Sequence, residues 1–262
     1  MCTGGIHMAP RGVKTLLKST CPVKLVGSGR FRGFEALRQG KPSGNKLKGL
    51  TKRLACKIFS DGKLPSIATH GTERRHGWKG QNGGRKRGTA VDAQLSRAIN
   101  SGKVTPQKGQ YSLTKLALIA LHEHGLVPVV AQRGCCSELC KIATAADVIC
   151  YEPSSSKLVV VELKCGHSGS KTAAAQLSGK ACSMNAPLRK APDNVLNRHL
   201  AQLAVTRELF ANEATTLSRL NDLGVASVVG AVLLYVNEEN CELFSLPAWW
   251  SERAPRILQS LR

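Results

Sequence analysis

A chain of 262 residues can hold one α/β domain with appended segments, or two small domains. Aliphatic residues can supply a core, aromatic residues make up only 4%, and no apolar run reaches the roughly 18 residues of a transmembrane helix, so we expect no membrane-spanning segment. The formal net charge of +21 favours polyanionic partners, with nucleic acid ahead of an anionic membrane or a capsid interior.

The positive charge is concentrated in the N-terminal third. Residues 1–90 contain 20 Lys and Arg against three acids, whereas residues 91–262 contain 18 against 14. This asymmetry predicts a basic, largely flexible arm over residues 1–84, in front of a globular domain over residues 85–262. We expect the arm to add affinity for DNA.

Two features stand out within this basic region. Residues 45–59 place apolar side chains three and four positions apart among lysines, which predicts an amphipathic helix. Such a helix either lies on a phosphate backbone or docks its leucines on the domain, and the sequence leaves both alternatives open. Residues 76–88 hold five glycines among basic residues, which predicts a flexible basic linker.

Beyond the linker, the pattern predicts regular elements. Helices are predicted over residues 89–100 and 112–124, the second capped by Ser112 and ended by Gly125. Strands are predicted over residues 127–132, 144–151 and 158–164, followed by a short helix or loop at 173–177, a helix at 194–212 and a hairpin of strands 226–236 and 242–246. The polar segment 152–157 predicts the turn between the second and third strands.

Two charged residues end the apolar strand at 158–164. Because side chains alternate between the two faces of a strand, Glu162 and Lys164 share one face. With the turn centred between residues 154 and 155, residues whose numbers sum to 309 oppose each other, so Asp147 faces Glu162. Two opposed carboxylates repel each other. A Mg²⁺ ion between them resolves the conflict, since this ion prefers carboxylate and phosphate oxygens.

The chemistry of this arrangement suits phosphate esters. A metal held by Asp147 and Glu162 can activate water and stabilise charge on an attacked phosphorus. Lys164 can orient that water or offset the phosphate charge. The plainer alternative is an ordinary hairpin with a Glu–Lys surface pair and an unrelated Asp. The apolar strand, the opposed Asp and the basic chain favour the metal site.

These residues resemble a known nuclease signature. Ala146-Asp147, followed 15 residues later by Glu162-Leu163-Lys164, resembles the D…ExK motif of the PD-(D/E)xK nuclease superfamily, although Ala146 replaces the usual Pro. Residues 197–203 resemble the Gln-bearing helix of the RecB-like and lambda-exonuclease-like branch, which points Gln202 at the active centre. Residues 87–92 resemble the first motif of that branch, which implies that Asp92 is a further metal ligand.

The resemblance implies both a fold and an activity. The fold is a restriction-endonuclease-like αβββαβ core with a mixed central sheet flanked by helices, and the predicted order of elements fits it. The activity is hydrolysis of DNA phosphodiester bonds, with double-stranded DNA as the expected substrate and Mg²⁺ or Mn²⁺ as cofactor. The catalytic set is Asp147, Glu162, Lys164 and Gln202, and the residues expected to contact DNA are Arg85, Lys86, Arg87, Lys171 and Arg198.

The biological setting follows by analogy. The branch works in recombination, repair or viral genome processing, so a helicase, a recombinase or a single-strand-binding protein is an expected partner. The chain has no Walker-type loop and therefore no ATPase of its own. Two alternatives stay open: a non-catalytic basic protein that binds or packages DNA on a nuclease-like fold, and a nuclease directed at RNA.

The ten cysteines are typical of reduced thiols rather than a disulfide framework. We therefore expect an intracellular protein, in the nucleus or wherever its DNA substrate lies, with a mitochondrial address left open. The cluster Cys135, Cys136 and Cys140 does not have the spacing of a zinc site. Packing is the favoured role for these thiols.

Overall fold

The computed structural model describes residues 8–26, 33–38, 40–62, 83–166, 169–176, 182–238 and 240–262. Within these ranges the helices are α1 (Val13–Ser19), α2 (Leu50–Lys57), α3 (Gly83–Asn100), α4 (Ser112–Glu123), α5 (Ser170–Ala175), α6 (Val195–Ala211), α7 (Ala214–Asn221) and α8 (Ala248–Ser260). The strands are β1 (Val23–Val26), β2 (Gly33–Arg38), β3 (Lys41–Gly49), β4 (Val127–Ser137), β5 (Ile142–Glu152), β6 (Lys157–Cys165), β7 (Ala226–Val236) and β8 (Cys241–Ser245).

The strands form one open sheet of mixed direction. β4 pairs antiparallel with β5, β5 antiparallel with β6, β6 parallel with β7, and β7 antiparallel with β8. β1, β2 and β3 form an antiparallel meander that joins the sheet where β3 runs parallel to the start of β5. The protein is thus α/β with a mixed central sheet flanked by helices, and at this level the predicted fold class is confirmed.

β6 is the apolar centre of the sheet. It lies between β5 and β7, and its valines alternate between two helical layers. Val159 and Val161 pack with α3 and α4, whereas Val160 packs with α6 on the other side. A strand covered on both faces must be apolar throughout, and each fully buried Val contributes about 1.5–3 kcal/mol. This burial holds β6 in place, including its end that carries Glu162 and Lys164.

The described residues of the N-terminal third are more ordered than the sequence predicted. Those between 8 and 62 form α1, the β1–β3 meander and α2 rather than a largely flexible arm, whereas residues 1–7, 27–32, 39 and 63–82 of the predicted arm lie outside the described residues. A few aliphatic side chains of this segment are buried in the same core as α6 and α8: Val13, Leu16, Leu17, Leu50 and Leu54. Sparse apolar residues are sufficient here because each helix buries only one narrow stripe against an existing sheet.

The amphipathic pattern at residues 45–59 spans two elements. Leu47 lies in β3, and the helix begins only at Leu50. Leu50, Leu54 and Ile58 are buried in the core. Of the two alternatives left open, the structure therefore has the one in which the leucines dock on the domain.

The starts of α3 and α4 differ from the predicted ones. Residues 76–82 of the predicted linker lie outside the described residues, but residues 83–88 form the start of α3, so the linker prediction is wrong there. Tyr111, not Ser112, is the N-cap of α4, and it makes no side-chain capping bond. Gly125 follows α4 with a φ of 69°, as predicted for a helix-ending glycine.

Helices α1, α7 and α8 were not predicted at all, although residues in each of them belong to the main core. None of the helices in the described ranges combines the length and the apolar character needed to cross a bilayer.

Candidate active site

The site lies where β5 and β6 separate. Their ladder runs from Glu152↔Lys157 to Val148↔Val161, which confirms the predicted register in which paired residue numbers sum to 309. The ladder stops one pair before Asp147. Instead of pairing strand to strand, the backbone N–H of Leu163 donates to Asp147 Oδ2 at 2.9 Å. The separation of the strands thus turns the Asp147 carboxylate toward the end of β6.

β5 has an unpaired stretch at this point. β4 pairs along the length of β5 on one side, so β3 and β6 must share its other edge. β3 reaches only Ile142 and Ala143, and β6 begins to pair at Val148. In the described part of the chain, no strand covers this edge between residues 144 and 147. The site therefore lies at a stretch of β5 that is left unpaired between β3 and β6.

Glu162 is the centre of a buried polar cluster. Its side chain is only 3% exposed, and its Oε1 accepts a hydrogen bond from Lys164 Nζ at 2.7 Å. Gln202 on α6 donates to the same oxygen, and its own Oε1 accepts from Lys164 Nζ at 3.2 Å. The structure thus brings together Glu162, Lys164 and Gln202, with Asp147 beside them. Buried Glu162 Oε2 has no hydrogen-bond partner among the described residues.

The pKa shifts show how costly this arrangement is. Burial, and after it the nearby carboxylate of Asp147, together raise the pKa of Glu162 to about 8 against the opposing effect of Lys164. Burial also raises the pKa of Asp147, although the charge of Lys164 and hydrogen bonds from Leu163 and Gln132 oppose the shift. Burial alone would lower the pKa of Lys164, but the carboxylates of Glu162 and Asp147 outweigh it and raise that pKa. The pair is therefore deficient in positive charge, even with Lys164 present.

Gln132 connects the carboxylates of two elements. It lies in β4, and its Nε2 donates to Asp147 Oδ1 at 3.2 Å and to Asp92 Oδ1 at 2.9 Å. Its φ of 55° lies in the left-handed region, which costs a non-glycine residue on the order of 1–3 kcal/mol. Around it the strand reverses its faces: Ala131 packs with α3 and α4, whereas Arg133 binds Glu213 on the opposite layer.

From the sequence, an ordinary amide at the end of a strand was favoured for Gln132 over a place in the substrate channel. Its neighbours pair as Ala131↔Val148 and Arg133↔Ala146, so Gln132 stands opposite Asp147. A polar side chain inside a strand and opposite a predicted metal ligand was the signal that could have found it. No feature of the sequence indicated that the backbone of Gln132 would be left-handed.

Asp92 contributes from α3 at longer range. It contacts the pair through Gln132, and its charge adds to the upward shift of the pKa of Glu162 that burial and Asp147 cause. A cluster of three or more metal-ligating side chains does not occur in the described ranges. The site thus consists of two adjoining carboxylates, with Asp92 linked by an amide.

The structure does not support the prediction that Arg87 and Arg198 contact DNA. Arg87 is buried and paired with Glu238. Arg198 is also buried, with its guanidinium bound by Asp193 and Asp61. These guanidiniums cannot meet a phosphate without breaking buried ion pairs, which typically costs about 3–5 kcal/mol.

The other predicted contacts fare differently. Lys86 and Lys171 are exposed, as a phosphate contact requires, while the side chain of Arg85 lies outside the described residues.

Arg198 has a structural role rather than a DNA-binding one. Its guanidinium also lies over the ring of Phe59, 4.6 Å from the ring centroid, and so connects α6 to the segment after α2.

The cysteine cluster has the packing role that the sequence favoured. Cys135 and Cys140 are buried, and burial raises the pKa of the Cys135 thiol far above its usual range. A buried neutral thiol is a poor nucleophile and a poor metal ligand.

No protein-family model matches the chain, and a search of curated proteins finds no similar sequence. Inference about function therefore rests on the geometry of the site.

The cost of the carboxylate pair predicts a gain in stability when one charge is removed. A raised carboxyl pKa means that stability is lost as pH rises from the ordinary range of a glutamate through about 8. At pH values above this range, with EDTA present, Glu162→Gln should raise the free energy of unfolding by about 1–2 kcal/mol, measured by urea denaturation. Near pH 5 the gain should disappear.

The matched control is Glu152→Gln at the other end of the same hairpin. Hydrogen bonds from Ser155 and Lys157 lower the pKa of Glu152, so its ionised form is favoured and this variant should gain nothing. An equal gain in both variants would show that the Asp147–Glu162 pair carries no special cost.

The left-handed backbone of Gln132 predicts a second stability result. Both Gln132→Gly and Gln132→Ala remove the amide, but only glycine adopts this φ without strain. The glycine variant should therefore be more stable than the alanine variant by about 1 kcal/mol, the reverse of the usual order within a strand. Thermal and urea unfolding measure the difference, and an alanine variant at least as stable as the glycine variant would refute the strain.

Proposed function

We propose that the chain is a metal-dependent nuclease that hydrolyses DNA phosphodiester bonds. The observation that carries the proposal is the Asp147–Glu162 carboxylate pair with Lys164 and Gln202 around it. Such a pair is costly in a folded protein unless a cation or a reaction uses it. A strongly perturbed carboxyl group at an open sheet edge is a good candidate for a functional site.

The order of elements supports a restriction-endonuclease-like core. α3, β4, β5, β6, α6 and β7 occur in this order as αβββαβ, and three additional helices lie between them: α4 before β4, α5 before α6 and α7 before β7. Asp147 and Glu162 lie on β5 and β6, the second and third strands of this core, and Gln202 lies on α6, its second helix. These are the positions that the PD-(D/E)xK resemblance implies, so the fold and the residue pattern support the same assignment.

The side chains present fit a divalent metal. Asp147 and Glu162 would hold a Mg²⁺ or Mn²⁺ ion, and the unpartnered Glu162 Oε2 is an oxygen suited to that purpose. Mg²⁺ is commonly bound by one or two carboxylates, with water and substrate phosphate completing its shell, so two adjoining carboxylates suffice. Asp92 remains a predicted further ligand. When bound, the ion would stabilise negative charge on the phosphate and lower the pKa of water.

Lys164 acts in this scheme as a charged hydrogen-bond donor. Although burial opposes its charge, Glu162 and Asp147 raise the pKa of Lys164, so its ammonium group stays protonated at neutral pH. A protonated lysine can orient the attacking water by a hydrogen bond and offset charge on the phosphate, but it cannot accept a proton. Gln202 is a positioning residue, because it hydrogen-bonds both Lys164 and Glu162.

Binding without catalysis is the second candidate function. The net charge of +21 alone would favour a basic protein that binds or packages DNA. The complete set of Asp147, Glu162 and Lys164 favours the nuclease, because a binding protein needs no costly carboxylate pair facing a polyanion. Recombination, repair or viral genome processing is the proposed setting by analogy, with a helicase, recombinase or single-strand-binding protein as partner.

Cleavage of labelled nucleic acid tests the proposal. The wild-type protein should cut DNA only with Mg²⁺ or Mn²⁺ present, and Glu162→Gln or Lys164→Ala should slow cutting by about 100-fold or more. Both variants should still bind DNA in EDTA, since most of the binding energy comes from phosphate contacts elsewhere. Duplex, single-stranded and RNA substrates of matched length identify the substrate class.

Glu152→Gln serves again as the control, because it changes a glutamate in the same hairpin away from the site. It should cut at the wild-type rate. Metal-independent cutting, or full activity of purified Glu162→Gln protein, would refute the assignment.

A further inference from the structure

The β1–β3 meander has a basic outer face. In the strand register, Lys24 of β1 lies opposite Glu35 of β2, and Glu35 lies opposite Lys46 of β3. The three side chains therefore share one face of the meander. Lys48 lies two residues after Lys46 and therefore points the same way. The opposite face is buried, with Val23, Ala36 and Leu47 packed against Ala143 of β5. The lysines must consequently face away from the core.

The lysines on this face outnumber its acids, since Glu35 is the one carboxylate among them in the described strands. Lys24, Lys46 and Lys48 are exposed, and none takes part in an ion pair within the ranges that the structure describes. Glu35 is the only acid in the sequence from residue 23 to residue 49. Its Oε1 accepts a hydrogen bond from the backbone N–H of Gly44 at 3.0 Å. The face thus carries an excess of positive charge that the fold does not use.

The meander is fixed to the sheet rather than loosely tethered. Val23 packs so closely on Gly134 of β4 that a Cβ at Gly134 would overlap its Cγ2. Arg38 pairs with Glu138 at 3.0 Å, at the turn between β4 and β5. These contacts, together with the β3–β5 pairing, hold the lysines in a constant relation to the candidate active site.

The meander lies close enough to the candidate active site for one extended ligand to contact both. β3 meets β5 at Ala143, four residues before Asp147, which is about 13 Å along a strand. β3 and β6 also share the same edge of β5, so the meander and the carboxylate pair lie along one edge. A polyanion that reaches Asp147 along this edge can contact the lysines at the same time.

We propose that the outer face of the β1–β3 meander binds the phosphate backbone of duplex DNA next to the cleavage site. The inference rests on the proposed function for the identity of its ligand. Lysines are point charges that bind phosphates without reading bases. Phe34, the aromatic residue of the described meander, packs on the buried face, so the outer face offers no ring on which unpaired bases could stack. This chemistry suits a duplex better than a single strand.

The test is binding at increasing salt concentration. Lys24→Ala, Lys46→Ala and Lys48→Ala are combined in a Glu162→Gln background, and fluorescence anisotropy with a labelled duplex is recorded in EDTA. Each lost phosphate contact lowers the slope of log K against log salt by about 0.9. The triple variant should therefore lose about 2–3 from the magnitude of the slope and bind at least about tenfold more weakly at physiological salt.

The matched control removes the same charge elsewhere. Lys103, Lys108 and Arg219 are exposed residues outside the meander, and their combined change to Ala should alter the slope by less than about 1. Equal slopes for the two triple variants, with unchanged melting temperatures, would overturn the inference. So would a loss confined to a single-stranded probe, or one seen only with anionic lipid vesicles.

The result is independent of catalysis. If the wild-type protein cuts no nucleic acid but the meander variant loses its salt slope on duplex DNA, the nuclease proposal fails while the binding surface stands. If cutting occurs and the slopes are equal, the nuclease stands and the surface is rejected. Deleting the N-terminal segment is not a substitute for this test, because α1 and α2 belong to the main core.

Discussion

The repulsion between Asp147 and Glu162 is the constraint around which the central part of this molecule is organised. The β5–β6 ladder ends one pair short of these residues, and Asp147 accepts the Leu163 N–H instead of joining the ladder. Lys164 and Gln202 both bind Glu162 Oε1, but Oε2 has no hydrogen-bond partner among the described residues. One lysine does not balance the two carboxylates. The arrangement therefore makes physical sense as a site that receives further positive charge from outside the chain.

The rest of the fold supplies the rigidity that such a site needs. β6 is buried on both faces, so its charged end cannot move far from β5. Gln132 adds local strain, since its left-handed backbone is retained where its amide bridges Asp92 and Asp147. Strain and like-charge repulsion both reduce stability, and large buried surfaces on either side of the sheet offset them. This division between a stable platform and a costly site is common where function demands unfavourable local structure.

Much of the site could be predicted because it depends on local rules. Strand alternation and the position of one turn were sufficient to place Asp147 opposite Glu162 and Lys164 on the same face as Glu162. Tertiary structure decided the rest. Arg87 and Arg198 looked like phosphate ligands because charged side chains are usually exposed, but acids distant in sequence, Glu238 and Asp61, bind the two buried guanidiniums. The N-terminal segment looked flexible because its charge obscured a sparse apolar pattern that only a preformed sheet could use.

The central claim is that the Asp147–Glu162 pair binds a divalent metal, and direct measurement of Mn²⁺ binding by electron paramagnetic resonance tests it without reference to activity. The wild-type protein should bind Mn²⁺, and Mg²⁺ should displace it. A protein carrying both Asp147→Asn and Glu162→Gln should lose this binding, whereas Glu152→Gln should keep it. Undiminished Mn²⁺ binding by the double variant, or none by the wild-type protein with DNA present, would contradict the account.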